Sequence, residues 1–570
     1  MKVSDYVMEF LAEKGAKTIF TVAGGGSMHL LESMSRNPKL NYICNHHEQG
    51  SAFAAEGYAR ASGTFGVCLV STAPAATNTV TGVLAAWNDS IPVFYISGQA
   101  NSKYLIGDTG MRQRGVHEAD IVSIVKPITK YAVTVMNAKD IKCNMEEAFY
   151  KMNDKRNGPV WIDIPLNIQA TEIEPDELEG YNPIDYTKEL FTTQTPIGAI
   201  YSVIDLLRKA KNPVVILGGG TVKRIEFFIS FLIQRNMSFV STKNTYGYIP
   251  YNTPNYLGMV GINGHRKANL AIHNCDFLLV LGSRLAFPVT GYNLDNFAPN
   301  AFKVQVDVDN NILKHSNIKT DATFNIDCFT FLPFMMSLPV YETSKFINVE
   351  NLPEYKDNKN YVNSYMFFKK LKDYLPPNAI IITDQGAAFY SWSQAYEMQY
   401  GQLGFTNGGS SPMGYGIPAA IGAWVATKRP IVLIVGDGGF EMNVQELQTI
   451  YQHDMNIKIF VFNNEGYNSI KQTQDNFFKS HYVGSDPGSG LICADSVLIS
   501  NAYGIRNHTI YNDTWLNDIM RAFLMDGPFL IKLMLDPHQD IVPKVKAQVK
   551  EDGTIIPGSF DNMYPYMEIK

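Results

Sequence analysis

The strongest chemical signal in this sequence lies where two apolar strands end in the last third of the chain. The predicted strand 431–435 runs into Gly-Asp-Gly-Gly at 436–439, and the next predicted strand ends in a double Asn. Glycines let the backbone approach phosphate at a helix start, here expected near Glu441, where free N–H groups favour anions. Asp437 and Asn464 offer the hard oxygen ligands that Mg²⁺ prefers. Because ligands bind at the C-terminal ends of strands in open α/β sheets, this spacing predicts a metal–diphosphate site.

Two further segments could act together with this site. Glu48 begins a predicted helix, 48–61, where the helix dipole favours a carboxylate even without a catalytic role. The glycine-rich stretch 407–416 contains Ser411 and Met413, and by itself it is typical of a turn with a core methionine. Each of these segments indicates a functional site only in combination with the metal–diphosphate pattern.

Taken together, the three segments resemble the cofactor-binding motifs of thiamine diphosphate enzymes. The resemblance implies that Glu48 shares a proton with N1′ of the aminopyrimidine ring, which prepares the cofactor to attack a 2-oxoacid and to accept electrons as CO₂ leaves. It also implies that the Ser411 carbonyl accepts a hydrogen bond from N4′ and that Met413 lies between the two rings. The implied diphosphate and metal contacts are Gly436, Asp437, Gly438, Gly439, Asn464 and Gly466, with Asp437, Asn464 and the carbonyl of Gly466 holding Mg²⁺.

The resemblance covers almost the whole chain and is closest to the acetolactate (acetohydroxyacid) synthase large subunit. It is carried by stretches such as 71–78, 158–165 and 443–447. Many members of that family bind FAD in the middle domain in a structural role, although glycine-rich strand ends also occur in members without flavin. The positions that match flavin contacts are Gly218, Gly219, Gly282, Arg284 and Asp307.

The elements that must position these residues form three blocks in which apolar strands alternate with helices. This alternation predicts an α/β fold of three doubly wound, parallel-sheet domains. The resemblance identifies them as a pyrimidine-binding domain (1–170), a middle, FAD-binding-like domain (190–340) and a diphosphate-binding domain (360–535). A tail, 536–570, is expected to close over the site and exclude water. The predicted strands are 18–22, 66–71, 93–97, 160–164, 214–217, 277–281, 303–308, 379–383, 431–435, 457–462 and 529–533.

Composition excludes several classes of protein. The 570 residues include 45% hydrophobic and 18% charged residues and carry a formal net charge of −6 without a basic block, so nucleic acid is not expected as a partner. The densest apolar stretch, 227–233, is too short to cross a bilayer, and the N-terminus lacks a signal-peptide core. The 6 cysteines show neither C-x-x-C nor zinc-ligand spacing, which is typical of buried, reduced thiols. These features predict a cytoplasmic protein with no membrane partner.

Departures from the synthase pattern bear on the substrate. The synthases carry an Arg that grips the carboxylate of the acceptor where this chain has Pro288, and a Lys where it has Leu166. A charge-assisted contact to a carboxylate is among the stronger polar interactions, so the loss of both cations argues against a second 2-oxoacid as acceptor. The other departures are Thr473 for a Trp that shapes acceptor choice, Ile262 and Asn263 for a Met-His pair, Ser469 for Met, and His117 for Gln.

The loop 108–115 and the residues after it carry the remaining candidate groups. His117 near C2 of the cofactor could relay protons or orient a substrate oxygen, and the alternative is a packed, hydrogen-bonded histidine. Arg112 and Arg114 could replace the missing cations from another direction, and the alternative is that they are solvated.

This pattern of departures resembles the synthase-like enzymes found with surface-polysaccharide genes, whose branched-sugar members move an acetyl unit from pyruvate to a keto-sugar nucleotide. We therefore predict a carboligase that uses pyruvate or another 2-oxoacid and a carbonyl acceptor without a carboxylate. The alternatives are acetolactate synthesis from two pyruvates, a 2-oxoacid decarboxylase with His117 as proton donor, and a non-catalytic regulatory paralogue. In the family the cofactor lies between the first domain of one subunit and the third of another, which implies a homodimer or a homotetramer.

Overall fold

The computed structural model describes residues 1–183, 197–342, 349, 352, 358–512, 525–550, 552 and 554–567. Within these residues, three six-stranded parallel sheets follow one another along the chain, with helices between the strands. The predicted α/β fold of three doubly wound domains is confirmed. The predicted start of the middle domain, at residue 190, lies outside the described residues.

The first domain is built on strands that are buried at the centre of its sheet, as expected for parallel strands covered on both faces. Its strands are β1 (Thr18–Thr21), β2 (Asn41–Cys44), β3 (Gly66–Val70), β4 (Val93–Gln99), β5 (Tyr131–Thr134) and β6 (Val160–Pro165). Its helices are α1 (Val3–Glu13), α2 (Met28–Arg36), α3 (Glu48–Ser62), α4 (Ala73–Asn78), α5 (Val80–Asp89), α6 (Ile121–Val125), α7 (Ile141–Asn153) and α8 (Leu166–Gln169). The strand order is β2-β1-β3-β4-β6-β5.

The middle domain has a different topology. Its strands are β7 (Pro213–Leu217), β8 (Ser238–Ser241), β9 (Tyr256–Met259), β10 (Phe277–Leu281), β11 (Phe302–Asp307) and β12 (Ala322–Asn325). Its helices are α9 (Ile197–Lys209), α10 (Ile225–Gln234), α11 (Arg266–Asn274), α12 (Phe287–Thr290), α13 (Asn310–Lys314) and α14 (Cys328–Met335). The order β12-β11-β10-β7-β8-β9 is the order of dinucleotide-binding sheets, and the direction of winding reverses between β7 and β10.

The third domain repeats the topology of the first. Its strands are β13 (Ile380–Thr383), β14 (Leu403–Phe405), β15 (Ile431–Gly436), β16 (Ile457–Asn463), β17 (Arg506–Ile510) and β18 (Phe529–Met534). Its helices are α15 (Ser364–Leu371), α16 (Ala387–Ala395), α17 (Gly416–Thr427), α18 (Asp437–Glu441), α19 (Leu447–Gln452), α20 (Asn468–Phe478) and α21 (Ser496–Ala502). The order β14-β13-β15-β16-β18-β17 matches that of the first sheet, strand for strand.

The helix that was expected near Glu441 starts earlier. α18 begins at Asp437 and ends at Glu441, because Gly436 is extended and already serves as the residue before the helix. Gly438 and Gly439 therefore lie inside the first turn of this helix.

The first and third domains pack together through α3 and α17. A Cβ atom added to Gly57 would overlap the carbonyl of Ala419, and one added to Gly422 would overlap the carbonyl of Ala54. The two backbones thus meet at glycines, and one hydrophobic core continues across both domains. This crossing fixes how the strand ends of the two sheets face each other.

The tail joins the third domain to the middle domain. It includes an antiparallel pair, β19 (Gln548–Val549) and β20 (Ile555–Ile556). The Val545 amide donates to the Ile262 carbonyl at 2.7 Å, and the Arg266 guanidinium donates to the Met563 carbonyl at 2.8 Å. Phe560 and Met563 belong to the buried core of the middle domain.

In the described part of the chain, no helix combines the length and apolarity that a membrane crossing requires. All six cysteines carry free thiols. Cys68, Cys275 and Cys328 are buried as expected. Three cysteines are contrary to the expectation: Cys143 and Cys493 are half-buried, and Cys44 is exposed because it ends β2 at the edge of the first sheet.

Candidate functional site

Asp437 lies almost fully buried where β15 meets α18. Its Oδ1 accepts a hydrogen bond from the Gly438 amide at 2.9 Å, and its Oδ2 accepts one from the Gly466 amide at 3.0 Å. Burial raises the pKa of the carboxyl to about 6. A cation bound beside this carboxyl would stabilise its anionic form against the cost of burial.

Asn464 is also suited to bind a cation. The hydrogen bond from Gly466 brings the end of β16 beside Asp437. The side-chain Oδ1 of Asn464 is buried and has no hydrogen-bond partner among the described residues. An orphaned buried acceptor is costly, so Asp437 and Asn464 together suit a metal ion. Gly436 faces open space, since a Cβ added there would have no heavy atom within 4 Å.

A small cavity opens next to Asn464. It is lined by Ala387 and Asn468 of the third domain and by Gln539 of the tail. The Gln539 carbonyl accepts hydrogen bonds from Asn468 at 3.1 Å and from Gln472 at 3.2 Å. The tail therefore reaches this strand-end site, as the prediction of a lid requires.

The loop with Ser411 and Met413 is shaped by a buried Asn407. The Asn407 Oδ1 accepts hydrogen bonds from the Ser410 amide at 3.1 Å and from the Ser411 amide at 3.3 Å, and its amide group donates to Glu56 of the first domain at 3.0 Å. Ser411 has a φ of 51°, in the left-handed region. Met413 is half-buried, so the loop presents both residues at its surface.

Glu48 is the first residue of α3, as the sequence predicts. The His47 side chain caps the helix by accepting from the Gln49 amide at 3.1 Å. The Glu48 carboxylate is half-buried and accepts from Asn78 at 2.9 Å. Among the described residues, no hydrogen bond joins this carboxylate to Asp437 or to the other strand-end residues of the third domain.

His117 lies on the same side of the first domain. Its carbonyl accepts from the Ala73 amide at 3.0 Å, its φ is 57°, and its side chain is exposed. The loop before it is held by Glu118, a buried residue that the sequence analysis did not single out. The Glu118 carboxylate accepts from the Arg114 amide at 3.0 Å, from the Gly115 amide at 2.7 Å and from the Ile106 amide. The side chains of Arg112 and Arg114 are exposed.

In the middle domain, Gly218 and Gly282 lie on the two sides of the point where the strand order reverses. A Cβ added to Gly218 would overlap the Gly282 carbonyl, and Gly282 has a φ of 60°, so close packing of the two loops also requires glycine here. Gly219 faces a more open side. Asp307 is buried, and burial raises its pKa to about 6, whereas Arg284 is exposed.

Lys243 was missed by sequence reasoning. It follows β8, and its Nζ donates to Ser411 Oγ at 3.2 Å and to Gln385 Oε1 at 3.3 Å, 4.1 Å above the ring of Phe389. Burial lowers the pKa of this ammonium to about 8. A lysine directly after a buried strand is a weak signal, and only the packing of the middle domain on the third brings it to the Ser411 loop.

The arrangement of sheets and strand-end ligands agrees with three matches to known families. The thiamine pyrophosphate enzyme N-terminal TPP binding domain matches residues 1–124, the central domain matches residues 200–332, and the C-terminal TPP binding domain matches residues 384–533. The chain belongs to the thiamine pyrophosphate enzyme family. Thiamine pyrophosphate, which is thiamine diphosphate, is therefore its cofactor, and Asp437, Asn464 and Gly466 fall inside the C-terminal match.

Similar proteins within this family are acetolactate synthases. The large subunit from Lactococcus lactis is 30% identical over 567 residues, covering 97% of this chain and 96% of the relative. The isozyme 2 large subunit from Escherichia coli is 30% identical, with 96% and 97% coverage. The chloroplastic acetolactate synthase 1 from Nicotiana tabacum is 31% identical, with 96% and 83% coverage. This thiamine pyrophosphate enzyme is thus acetolactate synthase-like over nearly its whole length.

Proposed function

We propose that this enzyme decarboxylates pyruvate, or a related 2-oxoacid, and transfers the acetyl unit to a carbonyl acceptor that carries no carboxylate, such as a keto-sugar nucleotide. The observation that carries the proposal is the neutral character of two positions. Leu166 begins α8, and Pro288 lies in α12, where its carbonyl accepts from the Ile262 amide at 2.9 Å. Neither side chain can attract a carboxylate.

The chemistry divides between the cofactor and this chain. When bound, thiamine diphosphate supplies the nucleophilic carbon and the electron sink for decarboxylation. Asp437, Asn464 and the Gly466 carbonyl would hold Mg²⁺, which would neutralise the charge of the diphosphate. Glu48 would hold the proton at N1′ of the aminopyrimidine, and His117 would donate or accept protons at the substrate. The proposed metal contacts are supported by the unpaired, buried Oδ1 of Asn464 and by the buried carboxyl of Asp437.

The loop and the tail have positioning roles in this proposal. The Ser411 carbonyl would accept a hydrogen bond from N4′ of the cofactor, and Met413 would contact the cofactor rings. The tail, anchored through Gln539, would exclude water from the reacting centre. The strand order of the middle domain supports FAD as a structural ligand at Gly218, Gly219, Gly282, Arg284 and Asp307.

We further infer that the centre is shared between two copies of the chain, with Glu48 from one and Asp437 from the other. The packing of α3 on α17 within one chain, and the separate hydrogen-bond partners of the two carboxylates, support this arrangement. A homodimer is then the smallest active unit, and a homotetramer would contain two such pairs.

Acetolactate synthesis from two pyruvates is the second candidate. One observation favours it: Lys243 places a cation at the Ser411 loop. This cation could bind the carboxylate of the acceptor in place of the Arg and Lys that Pro288 and Leu166 replace. The experiment that separates the candidates follows CO₂ and acetolactate together after adding thiamine diphosphate, Mg²⁺ and pyruvate, with and without a nucleotide-linked 4-keto sugar. Little acetolactate, with CO₂ release stimulated by the keto sugar, supports the first proposal. Abundant acetolactate from pyruvate alone contradicts it, and acetaldehyde as the sole product would indicate a decarboxylase.

A further inference from the structure

Glu446 of the third domain is fully buried against the segment that precedes Glu48 in the first domain. Its Oε1 accepts hydrogen bonds from the amides of His46 at 3.0 Å and His47 at 3.2 Å. Its Oε2 accepts from the side chains of Asn45 and Thr449, both at 2.8 Å. Hydrogen bonds to a charged group are worth more than neutral ones, so these four contacts form a strong clamp.

The neighbouring residues are adapted to this contact. Gly50 stands one turn into α3, and a Cβ added there would overlap Glu446 Oε1. Asn443, close to Glu446 in the chain, donates to the Gln49 side chain at 3.0 Å and to the Gly414 carbonyl at 2.9 Å. The residues on both sides of Glu48 are therefore fixed by the same short segment, 443–446, of the third domain.

The contacts of Glu446 also affect the direction in which the Glu48 carboxylate points. The amides of His46 and His47 belong to the two residues immediately before Glu48, so the Glu446 carboxylate determines where α3 begins. The position of the helix start in turn determines the direction of the Cα–Cβ bond of Glu48. A shift of about 1 Å in a catalytic group can lower a rate about a hundredfold.

We propose that Glu446 is a positioning residue for Glu48 of the same chain, acting through the backbone at His46 and His47. The proposal rests on the proposed role of Glu48 at the aminopyrimidine. Since that centre also takes Asp437 from the partner, each chain would use its third domain twice, once as the cofactor platform and once as the support for a glutamate that serves the other centre.

The first measurement is hydrogen–deuterium exchange at C2 of bound thiamine diphosphate, which reports the action of Glu48 before any substrate is added. We expect Glu446→Gln to slow this exchange about tenfold, and Glu446→Ala to slow it more, because Gln keeps one oxygen for the two amides. Thr449→Val removes one donor from the third-domain side alone and is expected to slow exchange about twofold. Exchange at the wild-type rate in folded Glu446→Gln enzyme overturns the proposal.

The second measurement assigns the effect to one chain. In a mixed dimer of a Glu48→Gln chain and an Asp437→Asn chain, only one centre keeps both native residues. Glu446→Gln is then added to one chain at a time. We expect the loss of CO₂ release to be at least about tenfold larger when it lies on the chain that supplies the native Glu48. Equal losses in both placements overturn the proposal.

The result that contradicts the proposed shared centre differs from the results that contradict the role of Glu446. A mixed dimer that shows no activity even with native Glu446 contradicts the shared centre. In that case the exchange series still decides the role of Glu446, since it is measured on dimers of one chain type. Thermal unfolding of each variant, together with the milder Thr449→Val, separates a moved glutamate from a chain that has lost its fold.

Discussion

The first and third sheets have the same strand order but treat a buried carboxylate differently. In the first sheet, Asp163 on β6 is closed in by side chains: Ser97 donates at 2.6 Å, Gln99 at 3.2 Å and Thr134 at 3.0 Å. Its hydrogen-bonding needs are met within the domain, and burial raises its pKa to about 7.

In the third sheet, Asp437 accepts hydrogen bonds from backbone amides, including those of Gly438 and Gly466, and lies beside the orphaned oxygen of Asn464. The two sheets share one topology, yet the carboxylate inside β6 of the first sheet is enclosed by side chains, whereas the carboxylate that follows β15 in the third sheet is left open for a ligand. Fold alone does not place a metal, because the first sheet has the same fold and a satisfied carboxylate.

The largest effect should come from removing the open carboxylate. Asp437→Ala is expected to lower CO₂ release from pyruvate by at least about a hundredfold and to weaken thiamine diphosphate binding, because a metal ligand is lost. Asp163→Asn is the matched control in the first sheet and should leave cofactor affinity unchanged in a calorimetric titration. If Asp437→Ala bound the cofactor with Mg²⁺ as tightly as the wild type, the two carboxylates would not differ as described.

The second-largest effect is expected from substitutions of the glycines at the crossing of α3 and α17. Gly57→Ala and Gly422→Ala each place a Cβ atom against a backbone carbonyl that cannot move aside, and overpacking of this kind costs about 1–3 kcal/mol. Thermal unfolding should show a lower Tm for both variants. Gly25→Ala is the control, since its added Cβ meets no heavy atom within 4 Å. An unchanged Tm for Gly57→Ala would mean that the domains do not meet at this crossing.

Lys243 tests whether the open edge receives a cation from the middle domain. A hydrogen bond to a charged group is worth about 1.5–3 kcal/mol, so Lys243→Met should raise the KM for the 2-oxoacid about tenfold while the enzyme stays folded. The exposed Lys369→Met serves as the control in steady-state kinetics. A KM equal to that of the wild type would remove Lys243 from the substrate side.

A smaller effect is expected from pH at the closed carboxylate. The pKa of Asp163 is raised in the folded chain, so the native state keeps a proton that the unfolded state releases, and stability from this group is lost as the pH rises towards 7. The Tm of the wild type relative to Asp163→Asn should therefore fall between pH 5 and pH 7 by several °C, since each pH unit in this window removes about 1.4 kcal/mol and 1 kcal/mol shifts a large domain by about 2–4 °C. A relative rise would contradict the buried, protonated acid.

The sequence predicted the central strands well and the edge strands poorly. Within the three six-stranded sheets, the strands missing from the prediction are β2, β5, β8, β9, β12, β14 and β17, and all but β8 lie at a sheet edge. Edge strands face solvent on one side and are short or mixed in polarity, such as β17 with Arg506 and His508. Buried apolar runs give a clear signal, whereas edges are defined by a neighbour that is distant in the chain.

The same distinction applies to the candidate site. Asp437, Asn464 and Glu48 follow local patterns at a strand end or a helix start, and the structure places them there. Lys243 and Glu446 carry no local pattern that points to their partners. Their contacts depend on how the domains pack, and the contact from Glu446 to His46 joins residues separated by 400 positions.

The insertion of Phe560 and Met563 into the middle domain has a consequence for how this protein is made. These residues are synthesised after the whole of the third domain. During translation, the middle domain therefore emerges with part of its interior still exposed to water, and it must wait for the remainder of the chain. Completion of the enzyme is a late event on or after the ribosome, in which residues made after the third domain finish a domain begun hundreds of codons earlier.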